Sequence, residues 1–208
     1  VRPDGIDKVT GRANYGADVH LPRMLFARLK KSPHAHAIIK KIDASKALAL
    51  DGVYAVITGA DLVPAGKTLD DLPDVSANIL AGRKALYRGH AVAAVAARND
   101  HIANAALDLI DVEYEVLQPV LDVREAMAAH APIINEKQRT RTPSGPSENP
   151  SNVVALNQVI YGDPDKGWAE AEVTVEGSFS TKMVHQGYIE PQAATAKWNN
   201  DGQVTIWT

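Results

Sequence analysis

Residues 87–116 read YRGHAVAAVAARNDHIANAALDLIDVEYEV, and this stretch decides the fold. Ala91–Ala97 is apolar on both faces, the pattern of a strand with neighbours on each side. Its side chains are small, so a helix can pack closely on it. Asn99 is a good N-cap and Asp100 suits the positive end of a helix. Ile102, Ala106, Leu109 and Ile110 then recur at helical spacing. Val112–Val116 returns to alternation, with Glu113 and Glu115 on one face. Strand, helix and strand in close succession predict an α+β or α/β domain.

Upstream, Met24–Lys30 reads as a half-buried strand, Leu25, Ala27 and Leu29 on one face and Phe26, Arg28 and Lys30 on the other. Ser45–Leu50 reads as a short helix and Gly52–Thr58 as a strand. Downstream, Val123–Ala129 reads as a helix. Residues 139–150 (RTRTPSGPSENP) are polar and proline-rich, and read as a linker or long surface loop. Beyond it, Val153–Tyr161 and Glu172–Ser180 read as strands, the second with Val173, Val175 and Phe179 on one face. Pro164–Ala169 reads as a helix. Ala193–Trp198 and Gln203–Trp207 flank Asn199-Asn200-Asp201-Gly202, the pattern of a hairpin.

The chain has 208 residues, 45% hydrophobic and 23% charged, enough for a sizeable core. A net charge of −3 gives no reason to expect nucleic acid or an anionic membrane as partner. There is no cysteine, which removes disulfides, thiol nucleophiles and any iron–sulfur cluster held by this chain. No apolar run is long enough to span a membrane. A reducing, cytoplasmic setting is expected, with the periplasm as the other option.

Motifs taken singly favour plain structural roles. Gly11–Gly16 (GRANYG) has glycine spacing like a P-loop but lacks the following Lys-Ser/Thr, so it reads as a turn. His34 and His36 would share one face of a strand, but two ligands alone make a poor metal site. Asp70, Asp71 and Asp74 lack the spacing of a calcium loop, and with Glu113 and Glu115 they read as solvated carboxylates. The segment of interest is Val184–Pro191 (VHQGYIEP). It gathers a histidine, an amide, a phenol and a carboxylate, a set able to line a ligand pocket. An irregular crossing between strands is the other reading.

Taken in order, these segments resemble the large subunits of molybdenum hydroxylases, the xanthine dehydrogenase/aldehyde oxidase family. The resemblance rests on DKVTGRA (7–13) with Tyr15 and Asp18, on SPHAHA (32–37), and on VITGADL (56–62). It continues through YRGHAVAAV (87–95), VEYEVL (112–117), His185 with Glu190-Pro191, and the Trp207-Thr208 ending. Ala91 stands where the family usually has proline.

The resemblance implies an α+β fold. It implies an a/b hammerhead domain over 1–130, a linker over 131–150, and the start of a molybdopterin-binding domain over 151–208. It implies a molybdenum–molybdopterin cofactor, held mainly outside this chain. Iron–sulfur clusters and FAD would sit on partner subunits, beside the remainder of the molybdopterin subunit. The reaction would oxidise an aldehyde, purine or N-heterocycle with water as the oxygen source. The family's glutamine beside the molybdenum and its catalytic glutamate would fall after Thr208. On that reading the chain is a piece, supplies no catalytic residue and no metal ligand, and is inactive alone. His185, Gln186 and Glu190 would support the cofactor pocket from behind the groups that touch it. The loop Pro64–Ala81, with Leu69, Leu72 and Leu80, would line the substrate funnel. The alternative is a free-standing hammerhead-type module for binding or assembly.

Overall fold

The computed structural model describes residues 2–208, which form two compact units: residues 2–24 with 165–208, and residues 25–164. The first of these opens with helix α1 (Gly5–Val9) and a 3-10 turn at Gly16–Asp18.

The larger unit is built on two three-stranded sheets. Its elements in order are β1 (Phe26–Lys31), β2 (Ala37–Asp43), α2 (Ser45–Leu48), β3 (Val53–Thr58), α3 (Asp74–Ile79) and β4 (Lys84–Ala85). Then come β5 (Ala91–Ala97), α4 (Asp100–Asp108), β6 (Asp111–Val116) and α5 (Val123–Met127). The alanine-rich β5 is the centre of the first sheet, antiparallel to β1 on one edge and β3 on the other. Ala93, Val95 and Ala97 turn one face toward α2 and α4, where they meet Ala47, Ala103, Ala106 and Ile110 in the core. The many alanines on both surfaces let helix and sheet pack closely. The Asn99 side-chain oxygen accepts the Ile102 N–H at 2.8 Å, as an N-cap should.

The face of β1 that meets α4 carries Phe26, Arg28 and Lys30, while Leu29 on the opposite face remains 46% exposed. Two charges explain the choice. Arg28 pairs with Asp100 at the helix start at 2.5 Å, and Lys30 Nζ donates to the Leu107 carbonyl at its end at 2.8 Å. The Asp100 carboxylate at the helix start and the Lys30 ammonium at its end each have the sign that the helix dipole favours there.

The VEYEV strand, β6, does not join β5. It pairs with β2, and β4 lies on the other edge of β2. Glu115 is bound by Lys40 across that ladder and Glu113 lies opposite Lys41, so both carboxylates belong to cross-strand charge pairing.

Residues 139–150 are not a plain linker. Arg139–Thr142 (β7) and Gly145–Pro150 (β8) form a two-stranded hairpin. A lone hairpin has two edges, so Pro146 and Pro150 need no N–H for a third strand. Asn152 fastens the adjoining chain, accepting from Ile134 N–H and donating to the Pro132 carbonyl, both at 3.0 Å. The strand expected at Val153–Tyr161 reduces to one bridge, Arg141 with Ala155.

The other unit continues with α6 (Pro164–Glu170) and the expected hairpin, β9 (Thr195–Trp198) paired with β10 (Val204–Trp207). Glu172–Ser180 is not a strand here. The segment belongs to no ladder among the described residues, and Phe179 is 94% exposed. Its alternation is sound, but a strand needs a partner to satisfy its backbone.

Candidate functional site

Val184–Pro191 runs without regular structure along a concavity of about 780 Å³ in the unit that contains it. Gln186, Tyr188, Glu190, Gln192 and Thr208 supply its polar groups, and Gly16 completes the wall. Of the three residues singled out from sequence, Gln186 and Glu190 reach this concavity. His185 does not. Its Nδ1 accepts the Gly187 N–H at 3.0 Å and its ring lies 5.0 Å from that of Tyr188. Bonded this way, a neutral His185 carries its proton on Nε2.

Gly16 was legible only as a turn residue, yet here it permits a close approach. A Cβ at this position would sit 2.7 Å from the Ala193 carbonyl oxygen. Nothing in the local sequence of Gln192 or Thr208 marks them as pocket residues.

The donor set decides what this concavity can hold. Two amides, a phenol, a hydroxyl and a carboxylate suit the edge of a polar heterocycle, which presents donors and acceptors side by side. The described residues contain no group of three or more His, Asp or Glu placed to hold a metal.

The larger unit has a second cavity of about 240 Å³, bordered by Leu69, Asp74, Lys84, His90, Glu136 and Lys137 among others. One wall is the Pro64–Ala81 segment, which is more ordered than a loop. It contains a 3-10 turn at Leu69–Asp71 and then α3. Leu69 borders the cavity, whereas Leu72 and Leu80 are each 1% exposed and packed inside the unit. Asp70 pairs with Arg83 at 2.6 Å, and Asp71 accepts the N–H and hydroxyl of Thr68 at 2.9 and 3.0 Å. Those hydrogen bonds hold the Asp71 carboxyl below its ordinary pKa.

His34 and His36 lie on an irregular turn and part company. His34 meets Tyr114 edge-on at 5.0 Å, and the buried His36 bonds the Gln118 carbonyl through Nδ1 at 2.9 Å. His90 is buried too, stacked 4.5 Å from Tyr87.

A family model for the aldehyde oxidase and xanthine dehydrogenase a/b hammerhead domain matches residues 10–118. The chain belongs to this family. A second model, the molybdopterin cofactor-binding domain, matches residues 146–208, which include every residue lining the Gln186–Glu190 concavity except Gly16. Among hammerhead relatives, the carbon monoxide dehydrogenase large chain of Afipia carboxidovorans is 34% identical, over 99% of this chain and 26% of its own length. The nicotinate dehydrogenase large molybdopterin subunit of Eubacterium barkeri is 31% identical, over 99% of this chain and 45% of its own. The crystal structure of quinoline 2-oxidoreductase from Pseudomonas putida superposes with a TM-score of 0.78 at 29% identity, covering 99% of this chain and 26% of that one. The chain thus spans from about a quarter to under half the length of the relatives it matches. No helix among the described residues is long and apolar enough to cross a membrane.

Proposed function

We propose that this chain forms part of the molybdopterin-binding subunit of a molybdenum hydroxylase. The observation that carries the reading is the hammerhead match followed, in the same chain, by the match to the cofactor-binding domain. That second match disfavours a free-standing hammerhead module. The enzyme oxidises an aldehyde, purine or N-heterocycle, and its oxygen comes from water. Its molybdenum cofactor, when bound, supplies the hydroxylation chemistry and takes up the electrons. Iron–sulfur and FAD subunits are the partners that carry those electrons onward.

This chain's own residues bind and orient. Gln186 and Gln192 offer paired donor and acceptor groups, Tyr188 a hydroxyl, and Glu190 an acceptor. His185 stiffens the crossing through Gly187 and Tyr188, so that Gln186 and Glu190 are held in place. In the larger unit, the Pro64–Ala81 segment borders the substrate channel. Leu69 and the exposed Val75 and Ile79 are its contact groups, and Leu72 and Leu80 anchor it from within.

The test is metal and pterin analysis of the natural complex, with turnover of a panel containing aldehydes, purines, N-heterocycles and carbon monoxide. Molybdenum and pterin in the complex with turnover of one class are expected. A complex that contains neither would sink the reading. Glu190→Ala is expected to lower molybdenum content per protein. Exchange of Pro64–Ala81 between relatives is expected to change the ratio of kcat/KM values across the panel.

A further inference from the structure

Lys137 holds a piece of chain far from it in sequence. Its Nζ donates to the carbonyl oxygens of Asp70 and Leu72, the latter at 3.1 Å. These carbonyls lie at the end of the Leu69–Asp71 turn. The turn's own bonds use the carbonyls of Thr68 and Leu69, which leaves the next ones to an outside donor. An ammonium group is well suited to this, since it presents several donors from one atom.

Neighbouring contacts make the hold specific. Glu136 pairs with Lys84 at the same cavity, and Arg83 pairs with the Asp70 side chain. His90 reaches the Ala77 carbonyl in α3 at 2.7 Å. The stretch 69–80 is thereby pinned at Asp70, Leu72 and Ala77, while Val75 and Ile79 stay free on its outer side.

We propose that Lys137 is a positioning residue for substrate selection: by gripping the Asp70 and Leu72 carbonyls, it sets where Val75 and Ile79 stand at the channel. This rests on the reading above that Pro64–Ala81 borders that channel. The residue lies outside both family-model matches, in the stretch between them.

The experiment uses the assembled enzyme with Lys137→Met, Lys137→Arg and, as a charge control elsewhere in the same unit, the exposed Lys31→Met. Methionine keeps the stem but has no donor, whereas arginine keeps donors. Hydrogen exchange of residues 69–80, molybdenum content, and kcat/KM for the two fastest substrates of the panel are measured. Lys137→Met is expected to speed that exchange about tenfold, the effect of one charge-assisted hydrogen bond. It is expected to shift the kcat/KM ratio several-fold with molybdenum content unchanged, while Lys137→Arg and Lys31→Met stay near the parent. Unchanged exchange in Lys137→Met overturns the proposal. So does faster exchange with an unchanged ratio, if the Pro64–Ala81 exchange does move the ratio. If neither change moves it, the reading of the segment as a channel wall fails and the proposal falls with it. Should Lys137→Met not accumulate, Lys137→Gln, with a shorter side chain that cannot span both carbonyls, takes its place.

Discussion

His90 stands between two backbone groups, donating from Nε2 to the Ala77 carbonyl at 2.7 Å and accepting the Leu86 N–H on Nδ1 at 3.2 Å. A ring that accepts at one nitrogen and donates at the other is neutral. Burial lowers its pKa below the ordinary 6.5, with the bond to Ala77 opposing. The adjoining cavity is lined by three acids, Asp70, Asp74 and Glu136, and three bases, Arg83, Lys84 and Lys137, so its formal charges balance. The unfolded chain therefore binds the proton more readily than the folded one. Stability from this site is complete above the ordinary value and is lost as pH falls below it toward the folded pKa. Thermal unfolding between pH 8 and 5 is expected to show the loss, and His90→Gln to flatten it.

Asn99→Ala removes the cap on α4 and is expected to cost about 1 kcal/mol in chemical denaturation. Asn99→Asp keeps an acceptor at the Ile102 N–H and is expected to retain most of that stability. Equal losses from both would show that the cap bond is not the source.

Gly59 follows β3, where a Cβ would lie 2.3 Å from the Ala81 carbonyl oxygen. Neither backbone can yield without disturbing the core around Leu80. Gly59→Ala is expected to destabilise by about 1–3 kcal/mol, the usual cost of overpacking. Gly167 in α6 is the counter-case, with open space around its Cβ position. Gly167→Ala is expected to stabilise by about 0.4–1 kcal/mol through the unfolded state. Denaturation midpoints of the two variants should move in opposite directions.

Gly16→Ala places a methyl group against Ala193 in the wall shared with Gln186 and Glu190. In the assembled enzyme we expect several-fold less molybdenum per protein, measured by metal analysis, with the hydrogen exchange of residues 25–164 unchanged. Full molybdenum content would separate this concavity from cofactor retention.

The elements that could be read from sequence are those whose signals are local. The alanine-rich β5, the Asn99 cap, the α4 stripe and the Asp201-Gly202 hairpin each announce themselves within a few residues. Pairing is different. Nothing in VEYEV says that β2 rather than β5 is its neighbour, and nothing in Glu172–Ser180 names a partner. The Arg139–Pro150 hairpin was hidden by prolines that a two-edged ladder tolerates. At the candidate site, Gln186 and Glu190 were legible because chemistry-bearing residues cluster there. Gly16 was not, since a glycine for a turn and one for a close approach look alike. Lys137 was invisible for the same reason of distance: its acceptors lie 65 and 67 positions away.

The division of the chain also bears on its synthesis. Residues 2–24 belong with residues 165–208, while everything between forms its own unit. On a ribosome adding about 5–20 residues per second, the leading arm emerges roughly 10–30 s before its counterpart. During that interval residues 25–164 can fold, while the arm waits for the residues it belongs with. The Gly16 wall of the candidate concavity is thus completed only once residues 186–208 have been made.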